Sequence, residues 1–316
     1  MSDIKKCCKK TTIGGQALIE GIMMLGPKKG AIAVRKPSGE IELKIDEKPR
    51  LAEKCKFFSL PFIRGIIGLV DSLSRGFAAL EYSSSVAMEG AEEEESKFEK
   101  WLESKFGSKV VEKIIMGIAM VLGIGLSVLL FVFLPTILAG FLDKIIESNI
   151  LRNILEGVFR ICIFLAYMFG VSRMKDMQRV FSYHGAEHKT IFCYEAGKEL
   201  TVENVKSFSK EHPRCGTSFM FSVMIISILV FSVVNWSGNM FVRMAVRLLM
   251  LPVVMGISYE VNRLLGRYDN AFTRFFRAPG VWFQKFTTFE PDDGMIEVAI
   301  AALTEVIPED ETADKW

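Results

Sequence analysis

The longest uncharged stretch of this sequence runs from Ile114 to Leu142 and limits what the chain can become. A helix rises 1.5 Å per residue, so about 20 apolar residues cross a hydrocarbon core of roughly 30 Å, and this stretch is longer. Half of the residues in the chain are hydrophobic, and they are gathered in such runs instead of being spread evenly. The stretch therefore predicts a transmembrane helix that is kinked or ended near Pro135.

Three further apolar segments are long enough to cross a bilayer: Ile154–Val171, Thr217–Trp236 and Phe241–Val261. The middle one is uncharged and closes on a tryptophan, a residue typical of the membrane interface. The other two each carry charged residues, and we expect Glu156 to pair with Arg243 or Arg247 as a structural clamp. The chain is thus predicted to be mainly α-helical, a polytopic membrane protein with about four transmembrane helices.

The distribution of basic residues predicts the orientation of these helices, because Lys and Arg resist translocation. Basic residues are frequent between the second and third spans and after the fourth, whereas the connection between the first two has only Lys144 and Arg152. The amino terminus, the carboxyl terminus and the loop at 172–216 are therefore expected in the cytoplasm. All cysteines except Cys162 would then face a reducing compartment, which predicts free thiols or ligands instead of disulfides.

The chain divides into four predicted regions. Residues 1–56 form a cytoplasmic amino-terminal region, in which Ala31–Ile45 alternates apolar and polar residues around Pro37-Ser38-Gly39 and predicts a small β-hairpin element. Residues 57–113 hold an amphipathic helix, Phe57–Leu80, followed by an acidic linker. Its charged residues share one helix face, so we expect it to lie in the membrane interface or to be re-entrant.

Residues 114–261 form the four-helix transmembrane region, and they include the cytoplasmic loop 172–216. Residues 262–316 are predicted to form helices at the cytoplasmic side. The first of these, at 270–291, interleaves aromatic residues with Arg and Lys, a pattern typical of a membrane surface, with a protein–protein groove as the alternative. The second, beginning at the acidic Asp292-Asp293 pair, has the apolar spacing of an amphipathic helix.

The histidines are confined to one short part of the sequence, His184, His188 and His212. On a helix, residues four apart project from one face, so His184 and His188 can bind one ion with Glu187 beside them. The sequence motif His-x-x-Glu-His is typical of inverted zinc peptidases, in which two histidines bind Zn²⁺ and the glutamate acts as general base. We therefore predict a site for a divalent metal, zinc, in the cytoplasmic loop.

The remaining ligands are left open by the sequence. His212 is followed by Cys215, and the spacing of the four residues could close a tetrahedral site. A catalytic site keeps one position open, so only three of the candidates would then bind. Glu260, at the cytoplasmic end of the fourth span, is another possible third ligand, and Glu195 is the local alternative.

Three residues have further candidate roles in chemistry. Arg214 or Tyr183 could stabilise negative charge that develops during a reaction. Cys215, at the start of the third span, could instead serve as the nucleophile of a thiol enzyme, because a helix amino terminus and Arg214 favour the thiolate. A metal-free polar cluster is the alternative to any of these sites.

Five blocks of the sequence resemble the YqhQ-like family of bacterial integral membrane proteins: "GGQALIEGIMMLGP", "YHGAEHKTI", "HPRCGTSF", "SYEVNR" and "TTFEPDDGMIEVAI". The family is described as a domain of unknown function and as predicted metal-dependent enzymes. The resemblance extends from Ile13 to about Leu303 of this chain. It implies a multi-pass protein of the bacterial cytoplasmic (inner) membrane and names no reaction.

Two functions from different classes follow from these residues. The first is a metal-dependent membrane enzyme that hydrolyses a peptide or lipid-linked substrate, with His184 and His188 as ligands, His212 or Glu260 as the third ligand, and Glu187 as base. The second is a non-catalytic scaffold or insertion factor, in which a metal or hydrogen-bonded cluster only fixes the loop and the protein contacts other membrane proteins. For either function, the expected partner of the protein is the lipid bilayer. No basic patch in the sequence indicates a nucleic acid as a partner.

Overall fold

A four-stranded sheet and a majority of helical residues make up the computed structural model, which describes residues 10–47, 51, 55–90, 105, 107–142, 146, 148–233, 240–310 and 313–314. The chain forms two compact units. The first unit comprises Met1–Glu89, Tyr167–Ile226 and Pro252–Trp316, and the second comprises Gly90–Ala166 and Ser227–Leu251. Each unit is assembled from segments that are distant in the sequence. The predicted acidic linker lies largely outside the described residues.

The sheet is antiparallel with strands in the order β1-β2-β3-β4: β1 Gly14–Leu18, β2 Gly21–Leu25, β3 Gly30–Arg35 and β4 Ile41–Asp46. The predicted hairpin is confirmed, since Ala31 pairs with Ile45 across β3 and β4, and its turn contains Gly39 at φ 91°. Strands β1 and β2 were not predicted, because glycines interrupt the alternation that marks a strand. The hairpin is therefore one half of a larger sheet.

The helices in chain order are α1 Ile63–Ala87, α2 Ser108–Val128, α3 Leu134–Gly140, α4 Asn149–Val171, α5 Lys175–Glu195, α6 Val202–Lys206, α7 Gly216–Val233, α8 Met240–Arg267, α9 Ala271–Thr287 and α10 Asp293–Val306. A 3₁₀ turn at Lys56–Ser59 precedes α1. A π-helical turn at Leu129–Phe133 joins α2 to α3, so the helix continues past Pro135 instead of ending there.

Four helical segments are long and apolar enough to cross a membrane: Ile114–Gly140, Ile150–Val171, Gly216–Val233 and Phe241–Arg267. They correspond to the four spans expected from the sequence. The fourth runs beyond the predicted end at Val261, and the predicted end of the third at Trp236 lies outside the described residues.

In the first unit, alternating residues of the sheet face two different layers. Ile22, Met24, Ala31 and Ala33 pack in one cluster with buried residues of α10, such as Leu303. Met23, Ile32 and Val34 face the other way and pack with Ala79 and Val86 of α1. This period of two is what a pleated strand imposes, and both faces of the sheet are therefore covered.

In the second unit, a buried carboxylate joins three helices, α3, α4 and α8. Glu156 of α4 is 2 % exposed, and its Oε1 accepts hydrogen bonds from Arg160 Nη2 at 3.1 Å and from Thr136 Oγ1 at 3.1 Å. Its other oxygen forms an ion pair with Arg247 of α8. The expected clamp between Glu156 and an arginine of the fourth span is confirmed, and the buried charges satisfy one another.

Candidate metal centre

Helix α5 carries the histidine motif, as the sequence predicts. Gly185 disfavours a helix by about 1 kcal/mol relative to alanine, yet the structure shows why glycine is needed there. A Cβ at this position would overlap the carbonyl oxygen of Phe289, in the segment that follows α9. The amide of Phe289 in turn donates to the carbonyl of Phe181 at 3.0 Å. The glycine thus lets that segment pack directly against the helix between the two histidines.

The ring of His184 is oriented by a backbone carbonyl. Its Nδ1–H donates to the carbonyl oxygen of Thr287, the last residue of α9, at 2.7 Å. With that proton placed on Nδ1, the lone pair of the neutral ring lies on Nε2. Nε2 lies 3.1 Å from Sγ of Cys215, so the sulfur and the nitrogen approach the same point.

His188 repeats the arrangement one turn later. Its Nδ1–H donates to the carbonyl oxygen of Lys210 at 2.5 Å, which again leaves the lone pair on Nε2. The residue is 1 % exposed, and its Nε2 makes no hydrogen bond to any described atom. A backbone carbonyl on one ring nitrogen is the usual second contact of a histidine that binds metal through the other.

Cys215 completes the group. One potential ligand atom from each of His184, His188 and Cys215 lies within 4.8 Å of the other two. Cys215 Sγ also accepts a hydrogen bond from the amide of Thr217 at 3.4 Å, at the start of α7. Two imidazoles and a thiolate suit zinc, and a ligand set of three leaves a fourth position open. The donor atoms and the unbonded buried Nε2 of His188 therefore fit a zinc ion.

The surroundings favour a negative charge on the sulfur of Cys215 and a positive charge on the ring of His184. Burial opposes ionisation of the Cys215 thiol, but the neighbouring His184 and His188 outweigh it and hold its pKa well below the usual value. Burial likewise opposes protonation of His184, and the Cys215 sulfur outweighs it and raises the pKa of His184 to about 9. The two histidines thus favour the thiolate of Cys215, the form that binds metal.

Glu187 lies beside the trio and is held at one oxygen only. Its Oε1 accepts a hydrogen bond from the amide of Gly15 in β1 at 3.0 Å, while its buried Oε2 has no partner among the described residues. Burial raises the pKa of this carboxyl group. Gly15 permits the approach, because a Cβ there would come within 3.0 Å of the Glu187 carboxyl carbon. The free oxygen is available to a proton or to a further ligand.

The other residues predicted for the site are placed in neighbouring interactions. His212 is outside the trio, and its Nε2 lies 3.6 Å from Oε2 of Glu195, although its ring centroid is 5.6 Å from that of His188. Burial lowers the pKa of His212 to about 4. Arg214 forms an ion pair with the same Glu195, which also accepts from the amide of Thr11 at 2.8 Å. These residues brace the loop that carries Cys215.

Two further candidates lie apart from the trio. Glu260 forms an ion pair with Arg64 of α1, with Arg64 Nε donating to Oε1 at 2.7 Å. The Tyr183 hydroxyl donates to Glu20 at 3.3 Å, and Arg179 binds both oxygens of Glu20 at 2.6 Å. The structure therefore brings together three of the predicted ligands, His184, His188 and Cys215, with Glu187 next to them.

Sequence reasoning missed Gln284, a fully buried residue of α9. Its side-chain carbonyl accepts from the amide of His212 at 2.7 Å, and its amide donates to the carbonyl of His212 at 2.7 Å and to Ser218 Oγ at 3.2 Å. A glutamine among aromatic residues gives no sequence signal for such a clamp. Together with Thr287, which accepts a hydrogen bond from His184, it makes α9 a support for His184, for His212 and for the loop that carries Cys215.

Comparison with known proteins assigns the chain to a family. A family described as "Protein of unknown function (DUF1385)" matches residues 60–309. The chain is also 33 % identical over 299 residues to the uncharacterized protein YqhQ of Bacillus subtilis (strain 168), covering 93 % of this chain and 92 % of that protein. No solved structure matches it. The chain belongs to this YqhQ-like family, DUF1385, whose function is unknown.

Proposed function

We propose that this protein is a zinc-dependent hydrolase of the bacterial cytoplasmic membrane, with its site at the cytoplasmic surface. The observation that carries the proposal is the convergence of His184 Nε2, His188 Nε2 and Cys215 Sγ, with both Nδ1 atoms already committed to backbone carbonyls. Three ligands and an open fourth position are typical of catalytic zinc sites, whereas structural sites are closed by four.

The residues around the trio fit this chemistry. Zinc, when bound, would supply a Lewis acid and make water a nucleophile near neutral pH. Glu187 Oε2 is the free acceptor that could take a proton, and the amide of Gly15 fixes the orientation of its carboxyl group. The backbone carbonyls that accept hydrogen bonds from Nδ1 of His184 and of His188 orient both rings before any ion binds.

The membrane placement rests on the four apolar helices and on the basic residues between them. The loop with the trio is rich in Lys and Arg, which favours the cytoplasmic side. Cys215 directly precedes the third candidate span, which supports a site near the membrane surface and a substrate that is itself membrane-bound, such as a peptide or a lipid-linked molecule.

One observation favours the second function, a non-catalytic scaffold for other membrane proteins. His188 and Glu187 are 1 % and 5 % exposed, and a site so enclosed also suits a metal that only stabilises the loop. A metal can be part of both functions, but only the hydrolase requires Glu187, as its general base.

The first test is zinc content by elemental analysis of the detergent-purified protein. Wild type is expected to hold about one zinc per chain, as a single tetrahedral site requires. His184→Ala and Cys215→Ser are expected to lose it. Cys193→Ala is the matched control, because Cys193 is a buried thiol of α5 outside the trio. If wild type holds no zinc even after zinc is supplied, the zinc-dependent hydrolase and the zinc-stabilised scaffold are both excluded.

The second test separates hydrolase from scaffold with Glu187→Gln, which removes a base and keeps the ligands. Purified wild type and variant are incubated with membrane lipid and peptide extracts, and released products are compared by mass spectrometry. The hydrolase predicts products from wild type only, with zinc retained in both proteins. If the two proteins both hold zinc and give identical product profiles, the hydrolase is excluded and the scaffold function is favoured.

A further inference from the structure

The segment before α1 presents apolar side chains outward. Phe57, Leu60 and Phe62 are 58 %, 47 % and 53 % exposed, and Pro61 between them is exposed as well. The sheet of the first unit packs against two clusters of buried residues. The exposed side chains before α1 are therefore not explained by the lack of a hydrophobic core. A contiguous exposed apolar surface of this kind is typical of a contact with a membrane or a partner.

The beginning of α1 lies against α8. Gly65 allows the contact, because a Cβ there would lie 2.6 Å from Cβ of Tyr259. On the facing side, a Cβ at Gly256 would lie 3.2 Å from Cβ of Phe62. Small residues at both contact points let the two backbones approach closely, as in helix pairs within membranes.

This contact fixes the level of Phe62 along α8. Gly256 is eleven positions before Arg267, the end of the fourth candidate span, which corresponds to roughly 16 Å of helix. The hydrocarbon core is roughly 30 Å thick, so Phe62 lies beside the interior part of a helix that is apolar enough to cross it. The chain turns back at this level, since α1 begins at Ile63.

Several backbone amides of the turn have hydrogen-bond acceptors, as burial in hydrocarbon requires. The amide of Phe58 donates to the carbonyl of Cys55 at 2.9 Å, and that of Leu60 donates to the carbonyl of Phe57 at 3.3 Å. Pro61 has no amide proton, and the amide of Phe62 donates to Oε1 of Glu260 at 3.2 Å.

The one charged side chain of the first α1 turn is neutralised in place. Arg64 binds Glu260 through Nε at 2.7 Å and through a second contact from Nη2. Charges at membrane depth are found with such partners, and a bidentate pair is the strongest form. Lys56, at the other end of the turn, has a long stem that lets its ammonium reach the headgroups.

We propose that residues 57–62 and the first turns of α1 form a re-entrant segment inserted among the acyl chains of the leaflet in which α8 ends. The segment dips into the membrane beside α8 and returns without crossing, and its occupant is lipid. The inference rests on the membrane placement of α8 proposed above. It is independent of the metal and of any catalysis.

The test is thiol labelling of single introduced cysteines in proteoliposomes, read by mass spectrometry of the peptide that carries each one. N-ethylmaleimide reacts with the thiolate, which forms in water and not in hydrocarbon. Phe62→Cys and Phe57→Cys are the test variants. Ser38→Cys, in the exposed turn between β3 and β4, is the aqueous control, and Leu229→Cys, an exposed position of the third span, is the membrane control.

We expect Phe57→Cys and Phe62→Cys to label at least about tenfold more slowly than Ser38→Cys, because hydrocarbon suppresses the thiolate as a pKa rise of at least one unit would. Their rates should match that of Leu229→Cys. Rapid labelling of both test variants, with Leu229→Cys protected, would overturn the re-entrant segment and leave the membrane placement intact. Rapid labelling of Leu229→Cys would instead overturn the membrane placement on which it rests.

Dilution of the protein in lipid distinguishes the occupant. Protection by acyl chains persists when the lipid-to-protein ratio is raised. Protection that disappears on dilution would show a second copy of the chain covering the segment, and this outcome also overturns the proposal. Using two test positions keeps the result interpretable if Phe62→Cys loosens the contact with Gly256 and fails to fold.

Discussion

Sγ of Cys215 lies 3.1 Å from Nε2 of His184, although the two residues are separated by 31 positions and stand on different elements. Nδ1 of the same ring is bound to the last residue of α9, so one imidazole joins α5, α9 and the loop before α7. The cluster is therefore a product of three distant segments. Changes far from the histidine motif should alter it, and the following predictions use this dependence.

Replacing Gln284 with alanine should weaken both the fold and the metal site. The change leaves the buried amide and carbonyl of His212 without their partner, and each such group costs about 1 to 3 kcal/mol. We expect a loss of about 2 to 4 kcal/mol in unfolding free energy and weaker zinc retention against a chelator. Gln178→Ala removes an exposed glutamine of α5 whose side chain makes one hydrogen bond, to the carbonyl of Ser172, so it should change stability much less and leave zinc retention unchanged. If the two variants lose the same unfolding free energy and retain zinc equally well, Gln284 does not support His212 in the way described.

Gly185→Ala should destabilise the protein although alanine favours helices. The added Cβ overlaps the Phe289 carbonyl, and such overpacking costs about 1 to 3 kcal/mol. Gly170→Ala in α4 is the matched control, because open space surrounds that position and the gain in helix propensity is about 1 kcal/mol. Thermal unfolding in detergent should show a lower midpoint for the first variant and an equal or higher one for the second. A raised midpoint for Gly185→Ala would exclude the close contact.

The ion pair of Glu20 with Arg179 should make part of the stability depend on pH. The hydrogen bonds from Arg179 lower the pKa of Glu20 below its usual value, with burial opposing. A lowered folded-state pKa stabilises the fold above the unfolded pKa of about 4.3, and this contribution is lost as pH falls through the folded value. Because Arg179 is more than half exposed, we expect about 1 kcal/mol or less.

The measurement for this pair is the unfolding midpoint of wild type and Glu20→Gln between pH 3 and pH 8. Wild type should be the more stable protein at neutral pH, and the two should converge as the pH falls below about 4. Glu40→Gln, at an exposed position of the turn between β3 and β4, serves as the control for the loss of a surface carboxylate. A difference that grows toward acidic pH would contradict the sign of the lowered pKa.

Glu260→Gln should leave zinc content unchanged and lower stability. The carboxylate pairs with Arg64 and not with the trio, so its loss removes the partner of a largely buried guanidinium. We expect a loss of about 1 to 3 kcal/mol, recovered in part when Arg64→Gln is added, because the unpaired charge is then gone. Loss of zinc in Glu260→Gln would make this residue the third ligand in place of Cys215.

The architecture was readable from the sequence where the signal is local. Four long apolar runs, the alternation around Gly39 and the spacing of His184 and His188 each depend on neighbouring residues, and the helices and strands expected there are present. Strands β1 and β2 escaped prediction, because glycines such as Gly15 and Gly21 replace the side chains that would show alternation. The glycines are there because other atoms occupy the space of a Cβ.

The sequence by itself determined the candidate spans, the helix that carries the histidines and the short set of residues able to bind a metal. It favoured His212 or Glu260 as the third ligand, with Glu195 as a local alternative and Cys215 as a ligand that could close the site. The tertiary structure brings one donor atom each of His184, His188 and Cys215 within 4.8 Å of one another, and it places Glu260 and His212 in interactions with other residues. Periodicity is set by the backbone of one element, whereas ligand choice depends on distances between elements, which only the packed chain defines.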